Sequence, residues 1–181
     1  MRTPTTGKFP FINLLLIAAN IYVFALEIFS PDIELVIQQY ALIPSSIDFF
    51  RPETLKPFIT SIFLHAGFLH ILSNMWFLWI FGDNVEDKLG HGRYLIFYLL
   101  CGLTASIVHI VVDPHSTMPT VGASGAISGV LAAYLLMFPK ARVVTVIPIF
   151  VFLQVAELPA IVVLGMWFVL QFFNGLISLG T

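Results

Sequence analysis

The chain has 181 residues, of which 59% are hydrophobic and only 10% charged, with a formal net charge of −2. A soluble core of this size does not need so much apolar surface, whereas a helical bundle embedded in lipid does. The slight acidity leaves no electrostatic footprint for nucleic acid, and the single cysteine, Cys101, excludes an internal disulfide.

Arg2 and Lys8 precede an apolar run from Phe9 to Leu26. The run is too long for a signal-peptide core and lacks a small-x-small cleavage site, so it reads as a retained first span over 9–29, ended by Ser30-Pro31. The connection over 30–57 mixes aliphatic and aromatic residues with four acids and is too apolar for a free linker. It is expected to lie in the membrane interface as short helices. The second span is predicted over 58–81 and carries His65, His70 and Asn74 in an otherwise apolar run. Polar groups at membrane depth are costly and mark a functional site by default. On one continuous helix His70 and Asn74 share a face, whereas His65 lies roughly 140° away. A compact polar turn follows from Asp83 to Arg93, where Glu86 pairs with Lys88 or Arg93 or caps a helix end.

A third span is predicted over 94–112, with His109 near its exit, and a fourth over 122–138. The apolar stretch from Val143 to Ala156 contains Pro148 and is short for a span, so it reads as a loop along the membrane surface. Glu157-Leu158-Pro159 marks a helix start, and a fifth span follows over 158–173. With the N-terminus inside, the inner segments hold Arg2, Lys8, Lys88, Arg93, Lys140 and Arg142, and the outer ones only Arg51 and Lys56. This bias orients the chain with its N-terminus in the cytoplasm.

The fourth span opens with Gly122-Ala123-Ser124-Gly125-Ala126-Ile127-Ser128-Gly129. Gly125 and Gly129, four apart, let another helix approach backbone to backbone. Ser124 sits at the helix mouth, where unpaired N–H groups and the positive dipole end favour a developing negative charge. Taken alone, the stretch reads as a packing motif with an incidental serine. Its combination with His70 and Asn74 favours a site.

The ordered set His65-Ala66-Gly67-Phe68-Leu69-His70-Ile71-Leu72-Ser73-Asn74, Phe81-Gly82-Asp83-Asn84-Val85-Glu86 and Gly122-Ala123-Ser124-Gly125 resembles the rhomboid intramembrane serine proteases. The resemblance implies a rhomboid-like, all-α polytopic bundle in a single domain over 1–181, with five helices of an expected six. It implies peptide-bond hydrolysis in transmembrane protein substrates, with Ser124 as nucleophile. His70, Asn74 and the Ser124 backbone N–H would hold the oxyanion. Gly122 and Gly125 would allow close approach of backbone and substrate, and Gly129, His65 and Glu86 take structural roles. The expected setting is the lipid bilayer of a prokaryotic plasma membrane, with the mouth of the site on the outer side.

Two departures accompany the resemblance. Lys56-Pro57-Phe58 stands where the family often has a Trp-Arg pair. The family's general base is a histidine on a sixth span, whereas here all histidines (65, 70, 91, 109 and 115) precede Ser124. Three readings follow: a protease sequence cut short, which is favoured; a proteolytically dead relative that binds membrane clients; or a packing subunit of a membrane assembly. Gly125 and Gly129 would then border an open groove. No metal site or cofactor is expected, because the span-two histidines lack a carboxylate or thiolate at ligand spacing, and the glycine stretch carries no lysine.

Overall fold

The computed structural model describes residues 7, 9–149 and 152–179 and is mostly helical. Arg2 and Lys8, which entered the orientation argument, lie outside these residues. Helix α1 (Phe11–Ile28) is the first predicted span. Helix α2 (Ile33–Tyr40) starts where the Asp32 carboxylate accepts the Leu35 N–H at 2.9 Å, a side-chain N-cap. Two 3₁₀ turns, each opened by a proline (Pro44 and Pro52), lead to α3 (Pro57–Thr60). The long connection is thus built of short helices, as expected.

The second span departs from the expected 58–81 helix. Helical structure breaks after Thr60 and resumes only at Phe68, with α4 (Phe68–Phe77). The break persists because its backbone groups are paired elsewhere: the Ser61 carbonyl accepts the Gly122 N–H at 2.9 Å, and the Glu27 carboxylate accepts the His65 N–H at 3.1 Å. Non-helical backbone at membrane depth is tolerated where it is buried in protein or lines a cavity, and this stretch does both. A π turn over Leu78–Gly82 joins α4 to α5 (Asp83–Leu89). The widened turn frees the Leu78 carbonyl, which accepts the Asn13 side-chain amide at 3.0 Å. The predicted polar turn over Asp83–Arg93 is therefore helical up to Leu89, and the chain reverses at Gly90, whose φ of +80° suits glycine.

Helix α6 (His91–Val112) lies where the third span is predicted and α7 (Ser124–Met137) where the fourth is. The stretch after α7 is a second correction: 142–159 form an antiparallel hairpin, β1 (Arg142–Ile149) with β2 (Phe152–Pro159), so the fold is not all-α. From Val143 to Pro148 every residue but the proline is Val, Ile or Thr, whose branched side chains suit a pleated surface. The last helix, α8 (Ala160–Leu179), begins after Pro159 and runs past the predicted end at 173.

The core is apolar but also takes in several polar side chains, while many large apolar side chains face outward. Asn13, Asn20 and Glu27 on α1, Asn74 on α4 and Glu86 on α5 are all buried, whereas Leu69, Leu72, Trp76 and Trp79 on α4 and its extension are exposed. Outward-facing leucines and tryptophans beside buried polar groups suit a protein whose solvent is lipid. Among the described residues, α1 and α6 are long and apolar enough to cross a bilayer, with α7 and the first part of α8 shorter apolar helices. The core is aromatic: Tyr94, Tyr98 and Tyr134 are fully buried, and the Phe81 and Tyr134 rings meet edge to face at 4.9 Å.

Candidate active site

The loop before α7 is fixed on both sides. Leu42 and Thr120 exchange backbone hydrogen bonds of 3.0 and 2.8 Å, and Gly122 is tied to Ser61. Gly122 has a φ of +125°, and a Cβ there would lie 2.7 and 2.8 Å from His70 Cε1 and Nε2 and 3.8 Å from Asn74 Nδ2. Only a residue without a side chain lets the chain run this close to that pair. Two residues later Ser124 begins α7. Its helix makes its first i→i−4 bond from Ile127 N–H to the Ala123 carbonyl, which leaves the Ser124 N–H at the helix mouth without an intrahelical acceptor.

Asn74 is 1% exposed, and its Nδ2 has no hydrogen-bond partner among the described residues. Asn20 Oδ1, His65 Nε2 and the Tyr98 and Tyr134 hydroxyls share that state among the described residues, but Asn74 Nδ2 is the one that lies near Gly122, 3.8 Å from the position of a Cβ there. His70 is half-buried, and its Nδ1 accepts the Ala66 N–H at 3.4 Å, which leaves Nε2 on the Gly122 side. No described side chain hydrogen-bonds the half-buried Ser124 hydroxyl, while the Ser124 carbonyl accepts from Ser128 Oγ at 2.7 Å.

A cavity of about 140 Å³ lies beside the serine, and Ser61, His109, Thr120, Gly122, Ser124 and Gly125 are among its lining residues. His109 thus shares a cavity with Ser124, although its Nε2 is engaged with Thr120 Oγ1 at 2.9 Å.

His65 takes a different place from the one its spacing predicts. The helix does not reach it, so the 140° offset does not apply, and its buried ring meets the His70 ring at 5.1 Å. Its Nδ1 lies 3.2 Å from the Phe63 carbonyl and its N–H is held by Glu27. Glu86 does cap a helix end, that of α1, whose Ile12 and Asn13 N–H groups its carboxylate accepts at 2.9 and 2.7 Å. It also meets His91 Nδ1 rather than Lys88 or Arg93. Gly125 and Gly129 correct the expectation of an open groove: they pack on α6, where Gly125 faces Ala105 and Gly129 faces Cys101.

Sequence reading missed the polar stripe of α1. Asn13, Asn20 and Glu27 are seven residues apart, two turns each, and all three are buried. That spacing on a membrane span is the signal that could have found them. Gly102 on α6 was missed as well; a Cβ there would lie 2.5 Å from Ile62, so it brings α6 against the broken segment.

Residues 52–180 match the rhomboid domain. The chain belongs to the rhomboid family. Over 77 residues, 42% of this chain and 15% of the relative, it is 46% identical to Rhomboid protease GluP of Bacillus subtilis. Over 171 residues, 91% of this chain and 44% of the relative, it is 31% identical to the mitochondrial presenilin-associated rhomboid-like protein of Bos taurus. Rhomboid-like protein 11, chloroplastic, of Arabidopsis thaliana is 40% identical over 80 residues, 44% of this chain and 28% of that protein. The chain spans less than half the length of each of these relatives. Family membership and the outward-facing apolar side chains together make this a membrane protein of a family that includes serine intramembrane proteases.

Proposed function

We propose that the protein is an intramembrane serine endopeptidase with Ser124 as its nucleophile. The observation that carries this reading is the unpartnered, buried Nδ2 of Asn74 beside His70 and the Gly122 backbone, two residues before Ser124. Ser124 Oγ attacks the carbonyl carbon of a scissile peptide bond and passes its proton to a base. The carbonyl oxygen takes up negative charge and is held by Asn74 Nδ2, the His70 ring and the Ser124 N–H. Donors preset in a dry site hold this charge better than water does, because they need no reorganisation as it forms. The proton then moves from the base to the leaving amine, and water releases the acyl group from Ser124.

Serine needs a base to attack. The resemblance supplies it as a histidine on a later span. His109, which lines the same cavity, is a candidate among the described residues, but it must first release Thr120. The substrates are transmembrane proteins whose helix unwinds to reach the serine. The five-span arrangement, the cytoplasmic N-terminus and an outward-facing mouth belong to the same proposal. So does the prokaryotic plasma membrane, although the names of its relatives include mitochondrial and chloroplastic proteins.

A second reading, a relative that binds membrane clients without cleaving them, draws on the absence of a described base bonded to Ser124. Cleavage of a fluorogenic transmembrane peptide in proteoliposomes decides between them. The protein at its natural length is expected to cleave, and Ser124→Ala is expected to be inactive. Binding without cleavage in the unsubstituted protein would favour the second reading.

A further inference from the structure

A larger cavity, about 460 Å³, lies away from Ser124 between α1, α2 and the segment after α3. Its lining includes Val23, Leu26, Glu27, Val36, Tyr40 and Phe63. Leu26 is 54% and Tyr40 38% exposed, so the cavity is open to its surroundings at that wall. Its volume is within the range of about 300–1,000 Å³ typical of small-molecule sites. An apolar cavity stays dry, and left empty its lining loses dispersion partners. At the end of a membrane span, the abundant apolar species is lipid hydrocarbon.

A cation stands over one lining residue, Tyr40. Lys56 Nζ stands 5.2 Å from the centroid of the Tyr40 ring and pairs with no carboxylate among the described residues. An ammonium beside an apolar cavity in an interfacial segment complements a phosphate above a hydrocarbon chain. The carboxylate in the lining, that of Glu27, already accepts the His65 N–H.

We propose that this cavity binds one hydrocarbon chain of a bilayer phospholipid, with the lipid phosphate at Lys56. The wall of the cavity also leads to the candidate site. Phe63 and Glu27 hold His65, and the His65 ring packs on His70. A bound chain therefore braces the segment that positions His70, a consequence that rests on the protease reading, whereas lipid occupancy does not.

Photo-crosslinking tests occupancy without reference to proteolysis. The full chain is placed in nanodiscs of phosphatidylcholine and phosphatidylglycerol that contain phosphatidylcholine with a diazirine on its acyl chain, and adducts are mapped by mass spectrometry. Adducts at Val36 and Phe63 are expected to exceed those at Val111, an exposed residue of α6. Val36→Trp and, independently, Leu26→Trp fill the cavity and are expected to bring Phe63 adducts down to the Val111 level. Lys56→Gln is expected to weaken labelling as well. Cavity adducts no higher than at Val111, or adducts that survive both tryptophans in folded protein, would overturn the lipid site. Unchanged labelling in Lys56→Gln would overturn the place assigned to the phosphate.

Discussion

Asn74 carries a donor buried without an acceptor, and a group in that state costs stability unless something else uses it. If that use is to hold the oxyanion, Asn74→Ala lowers kcat by about 10²–10³-fold with little change in KM, as loss of one preset donor does elsewhere. A rise in KM with kcat unchanged would instead point to a binding role. Gly122 makes a sharper case, because its φ of +125° and its distance from the His70 ring both exclude a side chain. Gly122→Ala is expected to cost about 1–3 kcal/mol in thermal unfolding from strained backbone alone. It should also abolish activity, because the ring must move. His70, Asn74 and the serine stretch were all legible in the sequence, as polar residues in apolar runs and as small residues at a helix start. Their meeting at Gly122 was not, since it depends on the broken segment before α4 bringing Ser61 against the Gly122 N–H.

At the scale of elements, the structure departs from sequence expectation where a pairing partner lies far away in the chain. Hydropathy alone continues the second span back to Phe58, because the spacing of apolar residues cannot register that Glu27 holds the His65 N–H across 38 residues. The hairpin was hidden for a similar reason: a Val- and Ile-rich run is apolar whether it forms a strand or a surface loop. Glu86 shows how such distant contacts build elements, since it caps α1 from α5. Glu86→Ala is expected to lower stability by about 1–3 kcal/mol by leaving two N–H groups of α1 without an acceptor, read as a fall in melting temperature in detergent. Glu86→Gln, which keeps an acceptor, should lose less. The α6–α7 pair rests on small residues, so Gly129→Leu must displace Cys101 and part the helices. A loss of about 1–3 kcal/mol is expected from such overpacking.

For the whole molecule, the inward polar groups and outward leucines and tryptophans agree with the composition, which already excluded a soluble core. Orientation rests on the distribution of Lys and Arg. In a Cys101→Ser background, His115→Cys is expected to react with a membrane-impermeant maleimide added outside intact cells. His91→Cys should react only after permeabilisation, and the reverse pattern would invert the topology. The role of Ser124 is tested most directly by labelling with a fluorescent fluorophosphonate, in lipid nanodiscs, of the protein at its natural length beside Ser124→Ala. Labelling that disappears in Ser124→Ala is the predicted result. Labelling of residues 1–181 alone would, in addition, make His109 the base to mutate next. A protein that is folded, binds transmembrane peptide and never labels would contradict a nucleophilic Ser124 and leave a client-binding relative.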